Sequence, residues 1–211
     1  MADDFLGNKM QEHLARQTQS KAAKAGRSFN QLVAENRSQR GFDASFELDR
    51  HHLLRMLEVC NKLPSARNQQ VLRYRPVYGQ EALRVHPLIR LGGALPELHL
   101  PKPSTEPSAY IVICSTVPES RYVSVDLGIA AQTILLKAVD MGLNGICIGA
   151  FNKESLMREL QLPLEPLLLL GLGKGIEHIV LKTIHQGEAQ NYYREGDTHI
   201  VPKLALEDLI L

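Results

Sequence analysis

VSVDLGIAAQTILLKAVDMGLNGICIGAF, residues 123–151, is the stretch that decides the fold. From 123 to 142 the apolar residues occupy most of a helix circumference, and Gly142 ends the pattern. A helix that is apolar on nearly every side belongs in the middle of a domain. From 145 to 151 the pattern becomes a short continuous apolar run, which predicts a buried strand. Working outward, 110–115 and 167–172 read as two further buried strands, with a short helix at 153–160 between them. Residues 71–78 are a plausible fourth strand. Upstream, 49–62 predicts a helix with apolar Leu53, Leu54, Met56, Leu57 and Cys60, stopped by Pro64. A short helix carries Phe29, Leu32 and Val33 behind Ser28 as its N-cap. Residues 3–24 read as a polar amphipathic helix closed by Gly26.

Two regions lack such periodicity. Residues 92–107 hold Pro96, Pro101, Pro103 and Pro107 and predict a loop long enough for a lid or a movable wall. Residues 177–211 read as an appended arm with apolar clusters at 179–181 and 206–211. Strands separated by helices favour a mixed α/β or an α+β domain. A doubly wound nucleotide-binding sheet would need more strands and an early glycine fingerprint, and neither is present.

At 211 residues the chain is long enough to bury a substantial core in one domain. A formal charge of +1 and 44% apolar residues suggest neither disorder nor a nucleic-acid partner. Cys60, Cys114 and Cys147 lack metal or redox spacing and lie in apolar stretches, the usual place of a small buried residue. The acidic start Met1-Ala2-Asp3-Asp4 is unlike a secretory signal. Asp126, Gln132, Lys137 and Asp140 make 123–143 too polar for a membrane span. The expectation is a cytoplasmic protein without a membrane or nucleic-acid partner.

Two short patterns carry chemistry. Asn36-Arg37-Ser38-Gln39-Arg40 clusters cations and a hydroxyl near a helix end. It suits a phosphate and a ring that becomes anionic on reduction, or else a solvated basic surface favoured by the helix dipole. Pro64-Ser65-Ala66-Arg67-Asn68-Gln69-Gln70 suits the polar edge of a planar heterocycle, or else an ordinary turn. Together they point to a phosphorylated cofactor rather than to a nucleophile or a metal. Gly171-Leu172-Gly173-Lys174-Gly175 lacks the ending of a nucleoside triphosphate loop, which leaves Lys174 a surface residue. His51 and His52 are adjacent and diverge on a helix, and the other histidines are scattered, so they read as structural or surface residues.

Taken in order, the segments 29–42, 64–70, 126–132 with 142–151, and 166–173 resemble the nitroreductase family of FMN-dependent oxidoreductases. The resemblance runs from about 29 to 175, with a tail at His199-Ile200-Val201-Pro202-Lys203. It implies an α+β fold with a central mixed sheet flanked by helices, in an intertwined homodimer. Residues 1–28 would be an N-terminal helical extension and 29–211 the FMN-binding domain with its C-terminal arm. FMN would lie at the subunit interface, held by Arg37, Ser38 and Arg40 of one subunit and Pro64, Ser65 and Asn68 of the other, with Lys203 helping to hold the phosphate. The main chain of Ile148, Gly149 and Ala150 would approach the ring, and no side chain need act as acid or base.

The implied activity is ping-pong transfer from NADH or NADPH through FMN to a small electron-poor acceptor such as a nitroaromatic or a quinone. A flavin-binding protein without turnover, and a flavin-dependent dehydrogenase or oxidase of a peptide or carrier-bound substrate, are the alternatives. Three departures from the family pattern stand out. Asn36 occupies a place where many members carry arginine, and Leu204 and Ala205 follow Lys203 where a second basic residue is common. The phosphate site would then lean harder on Arg37 and Lys203. The first 25 residues have no counterpart in these motifs, which leaves them the role of a dimer-embracing helix.

Overall fold

A computed structural model of the chain describes residues 26–93 and 95–211. The helix expected at 3–24 lies outside the described residues. Five α-helices are formed among those described: α1 Phe29–Glu35, α2 Arg50–Leu57, α3 Gln80–Val85, α4 Arg121–Asp140 and α5 Lys153–Leu160. The strands are β1 Leu72–Tyr78, β2 Ala109–Ser115, β3 Asn144–Ile148, β4 Pro166–Gly173, β5 His178–Ile184, β6 Tyr193–Glu195 and β7 Thr198–Leu204. The fold is α+β.

The central sheet has the order β1-β2-β4-β3. Every residue of β2 is buried, and its side chains alternate between two cores. Ala109, Ile111 and Ile113 face α2 and α4, where Met56, Ala130, Ile134 and Ala138 complete one core. Tyr110, Val112 and Cys114 face α3 and α5, where Val85, Leu156 and Leu160 complete the other. The period-2 alternation of a strand thus feeds two helical layers from one sheet. By length and composition α4 would suffice to cross a membrane. Here Ala130, Ile134, Leu135 and Ala138 pack in the core, while Tyr122 and Val125 are exposed, and the buried Asp126 carboxylate accepts the Ala66 N–H at 2.9 Å.

Three sequence expectations need correction. The four strands of the central sheet pair antiparallel throughout, not in a mixed pattern. β2 and β3 do run in the same direction, as a strand-helix-strand crossover requires, but β4 inserts between them and opposes both. Parallel pairing occurs outside these four, in the single bridge Ser38↔Gly145 and between β5 and β7. The helix expected over 49–62 stops at Leu57 and tightens into a 3₁₀ turn at Cys60–Lys62. Leu63 is extended, as a residue before proline must be. Finally, the arm after 177 is a three-stranded sheet, order β5-β7-β6.

Gly145 marks the tightest approach of helix to sheet. A Cβ there would stand 2.5 Å from Leu135 Cδ2 and 2.9 Å from the main-chain oxygen of Gly171. The leucine tip can turn away, but the carbonyl belongs to the neighbouring strand and cannot. Gly145→Ala should therefore lower stability by about 1–3 kcal/mol, read from the midpoint of urea unfolding. An unchanged midpoint would mean that α4 and β4 yield freely at this point.

Candidate functional site

Ser28 and Gln31 form a capping box that starts α1. At its other end Arg37 folds back, and its Nε and Nη2 donate to the carbonyls of Ala34 (2.9 Å) and Val33 (2.5 Å). The cation thus satisfies helix-end carbonyls that would otherwise lack partners. The chain then runs along the outer edge of β3. Ser38 bridges Gly145, and the Gln39 N–H donates to the Gly145 carbonyl at 3.2 Å. Gln39 is buried, and its amide clasps Glu177: Oε1 accepts the Glu177 N–H at 3.1 Å and Nε2 donates to its carbonyl at 3.4 Å. A Cβ on Gly175 would stand 2.5 Å from the Gln39 side chain, so this clasp requires glycine there.

Arg40 is thereby aimed inward. Its Nη1 donates to Ser38 O at 3.1 Å, its guanidinium lies 4.6 Å from the Tyr192 ring centroid, and its main-chain N–H donates to the Glu177 carboxylate. Its Nε is buried and has no hydrogen-bond partner among the described residues. The second Glu177 oxygen pairs with Arg194 of β6. On β7 the alternation of the strand puts His199, Val201 and Lys203 on one face.

These elements enclose a cavity of about 450 Å³ lined by Arg37, Ser38, Arg40, Gly145, Cys147, Tyr192, His199 and Lys203, among others. Among the described residues its lining holds three cations of Arg and Lys type and no carboxylate. His199 is wholly buried, and among the described residues neither ring nitrogen has a hydrogen-bond partner. Burial holds its pKa below the ordinary histidine value; Arg40 and Arg194 push the same way, and Glu177 opposes them.

The 64–70 segment is built differently. Ala66 N–H donates to Asp126, Gln70 N–H donates to Ser65 Oγ at 3.1 Å, and the Gln70 amide donates to Asn68 Oδ1 at 3.2 Å. Arg67, Asn68 and Gln70 all take left-handed backbone conformations, with φ of 53°, 53° and 50°. An ordinary turn does not need three such residues, since each costs of order 1 kcal/mol in a side chain other than glycine. Pro64 and Ser65 line a separate cavity of about 290 Å³ together with Cys60, Tyr74 and Asp126. Asn68 lies exposed and lines neither cavity.

At the end of β3, Gly145 and Cys147 face the first cavity and Gly149 follows at the same period. Ile148 is buried in the second core, so only its main chain is available to a ligand. Gly149 and Ala150 are exposed, and Ala150 O accepts the Arg90 N–H at 2.9 Å. A Cβ on Gly149 would meet nothing within 4 Å, so the packing of this chain does not itself demand glycine there.

Of the residues singled out in the sequence, Arg37, Ser38, Arg40 and Lys203 are therefore brought to one cavity. Pro64, Ser65, Asn68 and 148–150 stand elsewhere on the same chain. Tyr192, His199, Glu177 and Arg194 were not anticipated. The H-x-V-x-K spacing of 199–203 would have shown His199 beside Lys203 once 198–204 was read as a strand. Gly171 and Gly173 lie within β4, where a Cβ would strike Pro107 and Phe42, so they serve packing rather than phosphate binding. Lys174 is exposed over the Phe46 ring, as expected of a surface residue. His52 reciprocates with Asp49 in the capping box of α2.

Comparison with known proteins bears on this geometry. Residues 97–174 match the family model described as the nitroreductase family. A stretch of 57 residues is 37% identical to a nitroreductase-type protein of Methanocaldococcus jannaschii, covering 27% of this chain and 29% of that relative. The chain thus spans less than a third of the curated relative it matches. Among solved structures, a nitroreductase family protein of Clostridium novyi superimposes with a TM-score of 0.57 at 22% identity, over 71% of this chain and 86% of that one. A nitroreductase-type protein of Exiguobacterium sibiricum, solved in complex with FMN, gives 0.59 at 18% identity over 73% and 91%. A point variant of the FMN- and NADPH-dependent nitroreductase NfnB from Sphigopyxis gives 0.64 at 17% identity over 88% and 98%. Over the segment 97–174 the chain is similar to the nitroreductase family, and its fold is that of these solved structures.

Proposed function

We propose that the chain is an FMN-dependent oxidoreductase that takes reducing equivalents from NADH or NADPH and delivers them to small electron-poor acceptors, nitroaromatics or quinones, in a ping-pong sequence. The observation that carries this reading is the convergence of Arg37, Ser38, Arg40 and Lys203, from two distant parts of the sequence, on one cavity free of carboxylates. Three cations and a hydroxyl are a donor set for a phosphorylated ligand. Arg40 lines this cavity, and its buried Nε, which has no acceptor among the described residues, is a further donor. The volume, about 450 Å³, is in the range of small-ligand sites. The residues present therefore fit flavin mononucleotide.

Bound FMN would supply the redox chemistry, accepting hydride from the nicotinamide and passing electrons to the acceptor. The chain's part is binding and electrostatics. Arg37, Ser38 and Lys203 hold the phosphate. Arg40, fixed by Ser38, Tyr192 and its main-chain bond to Glu177, sets positive charge where the ring gains negative charge. The main chain at 148–150, beyond the cavity at the end of β3, would approach the ring.

Pro64, Ser65 and Asn68 would reach that ring from a second copy, since on one chain they line a different cavity or none. A homodimer is further supported by exposed apolar residues. α1 buries none of its residues, Phe29 is 70% exposed, and Tyr122, Val125, Leu206, Leu209 and Ile210 are exposed as well. These side chains are left available to a second copy of the chain.

The purified protein, or the protein given FMN, should show a bound-flavin absorbance spectrum. It should bleach with NADH or NADPH under anaerobic conditions and recover with a quinone. A preparation that takes up no flavin contradicts the reading, and one that binds flavin but does not bleach leaves it a binding protein. Arg40→Ala should lower the flavin reduction potential and slow turnover about 10- to 100-fold; retention of both removes Arg40 from its role. Site sharing has its own test. Arg40→Ala and Asn68→Ala subunits, each impaired alone, should regain activity when unfolded and refolded together, because each mixed dimer holds one intact site. No recovery on mixing would place both residues at a site within one chain.

A further inference from the structure

We infer that His199 is an additional ligand of the phosphate in this cavity, taking up a proton as the phosphate enters. The inference rests on the FMN reading above. A wholly buried imidazole with neither nitrogen hydrogen-bonded is rare in a folded protein and calls for an explanation. His199 lines the cavity on the same face of β7 as Lys203.

The groups around it decide what it can bind. β7 is paired with β5 on one side, where Ile179 stands opposite His199, and with β6 on the other, where Arg194 does. The Tyr192 ring lies 5.1 Å from the imidazole, and Arg40 approaches from the loop after α1. The one carboxylate facing it is Glu177, and both Glu177 oxygens are engaged, by Arg194 and by the Arg40 main chain. The imidazole therefore meets apolar walls and cations, a setting that favours its neutral form. It then carries one N–H without an acceptor and one lone pair without a donor.

A phosphate dianion reverses this balance. It offers acceptor oxygens to the N–H groups of an imidazolium, and its charge offsets Arg40, Arg194 and Lys203 together. At pH 7.5 a phosphate monoester is already almost wholly dianionic, since its second pKa is about 6. It releases almost no proton on binding. The proton that converts His199 to imidazolium comes from solvent, so binding consumes up to one proton per site and no covalent bond changes. A flavin without phosphate presents no such charge.

The test is calorimetric titration of FMN, with riboflavin as comparator, into the full chain stripped of pigment. It is run at pH 7.5 in two buffers of different ionisation enthalpy, so that the difference in heat reads proton uptake. The wild type should take up a proton with FMN and none with riboflavin. His199→Asn keeps a donor but does not titrate; it should abolish the uptake and weaken FMN binding about tenfold. Riboflavin affinity and the melting temperature of the unliganded variant should stay near wild type. Tight FMN binding by the wild type without proton uptake overturns the inference whatever the variant does. Unchanged uptake in His199→Asn, or equal weakening of FMN and riboflavin, also overturns it. Failure of the wild type to bind FMN at all overturns the cofactor reading, and the inference with it.

Discussion

The carbonyl and the missing side chain of Gly145 couple the site to the core. A Cβ on this residue would meet the tip of Leu135 of α4 and, immovably, the main-chain oxygen of Gly171 in β4. The Gly145 carbonyl receives Gln39, and the Ser38 bridge closes on the same residue. The long helix, the edge of the central sheet and the loop bearing Ser38 and Arg40 thus meet at one point. A shift of α4 against the sheet would move the cation loop with it. This gives the loop the rigidity of the core, which a charge meant to act on a ligand requires.

Charge is distributed with the same economy. Glu177 neutralises Arg194 with one carboxylate oxygen and fixes the Arg40 main chain with the other, while the Gln39 amide holds its backbone on both sides. The guanidinium of Arg40 faces an aromatic ring and a carbonyl, not an acid. The carboxylate thereby orders the loop without cancelling the charge that the cavity needs. An acid paired directly with Arg40 would hold it as firmly and quench it.

The parts of the fold legible in the sequence are those buried on nearly every side. The strands at 110–115 and 167–172 and the helix at 123–142 leave apolar runs that few other structures produce, and each appears within a few residues of its expected bounds. The arm was not legible as a sheet. β5 is exposed at most of its positions and β6 has three residues, so neither carries a strand pattern that survives averaging. The same gap hid half of the site, because His199 and Lys203 share a face only if 198–204 is a strand. Arg37, Ser38 and Arg40 were legible as residue types, but the clasp that aims them depends on Gln39 meeting Glu177 across more than half of the chain. No local pattern encodes a contact of that kind.

The turn at 67–70 shows how a single chain can be organised toward something beyond itself. Three left-handed residues, none of them glycine, are held in place by Asp126 and Ser65. The Asn68 side chain accepts from the neighbouring Gln70 amide, lies exposed and does not line the second cavity. Strain persists where the surrounding structure over-determines it, and it gathers at binding sites because preorganisation there has value. A buried carboxylate on the central helix, committed to one main-chain N–H of a surface turn, is costly unless the shape of that turn matters. The turn and the cation loop are anchored on the same helix, the one through Asp126 and the other through the Leu135 contact at Gly145. Movement of either relative to the other is thereby restricted, as two halves of a binding surface shared between copies would require.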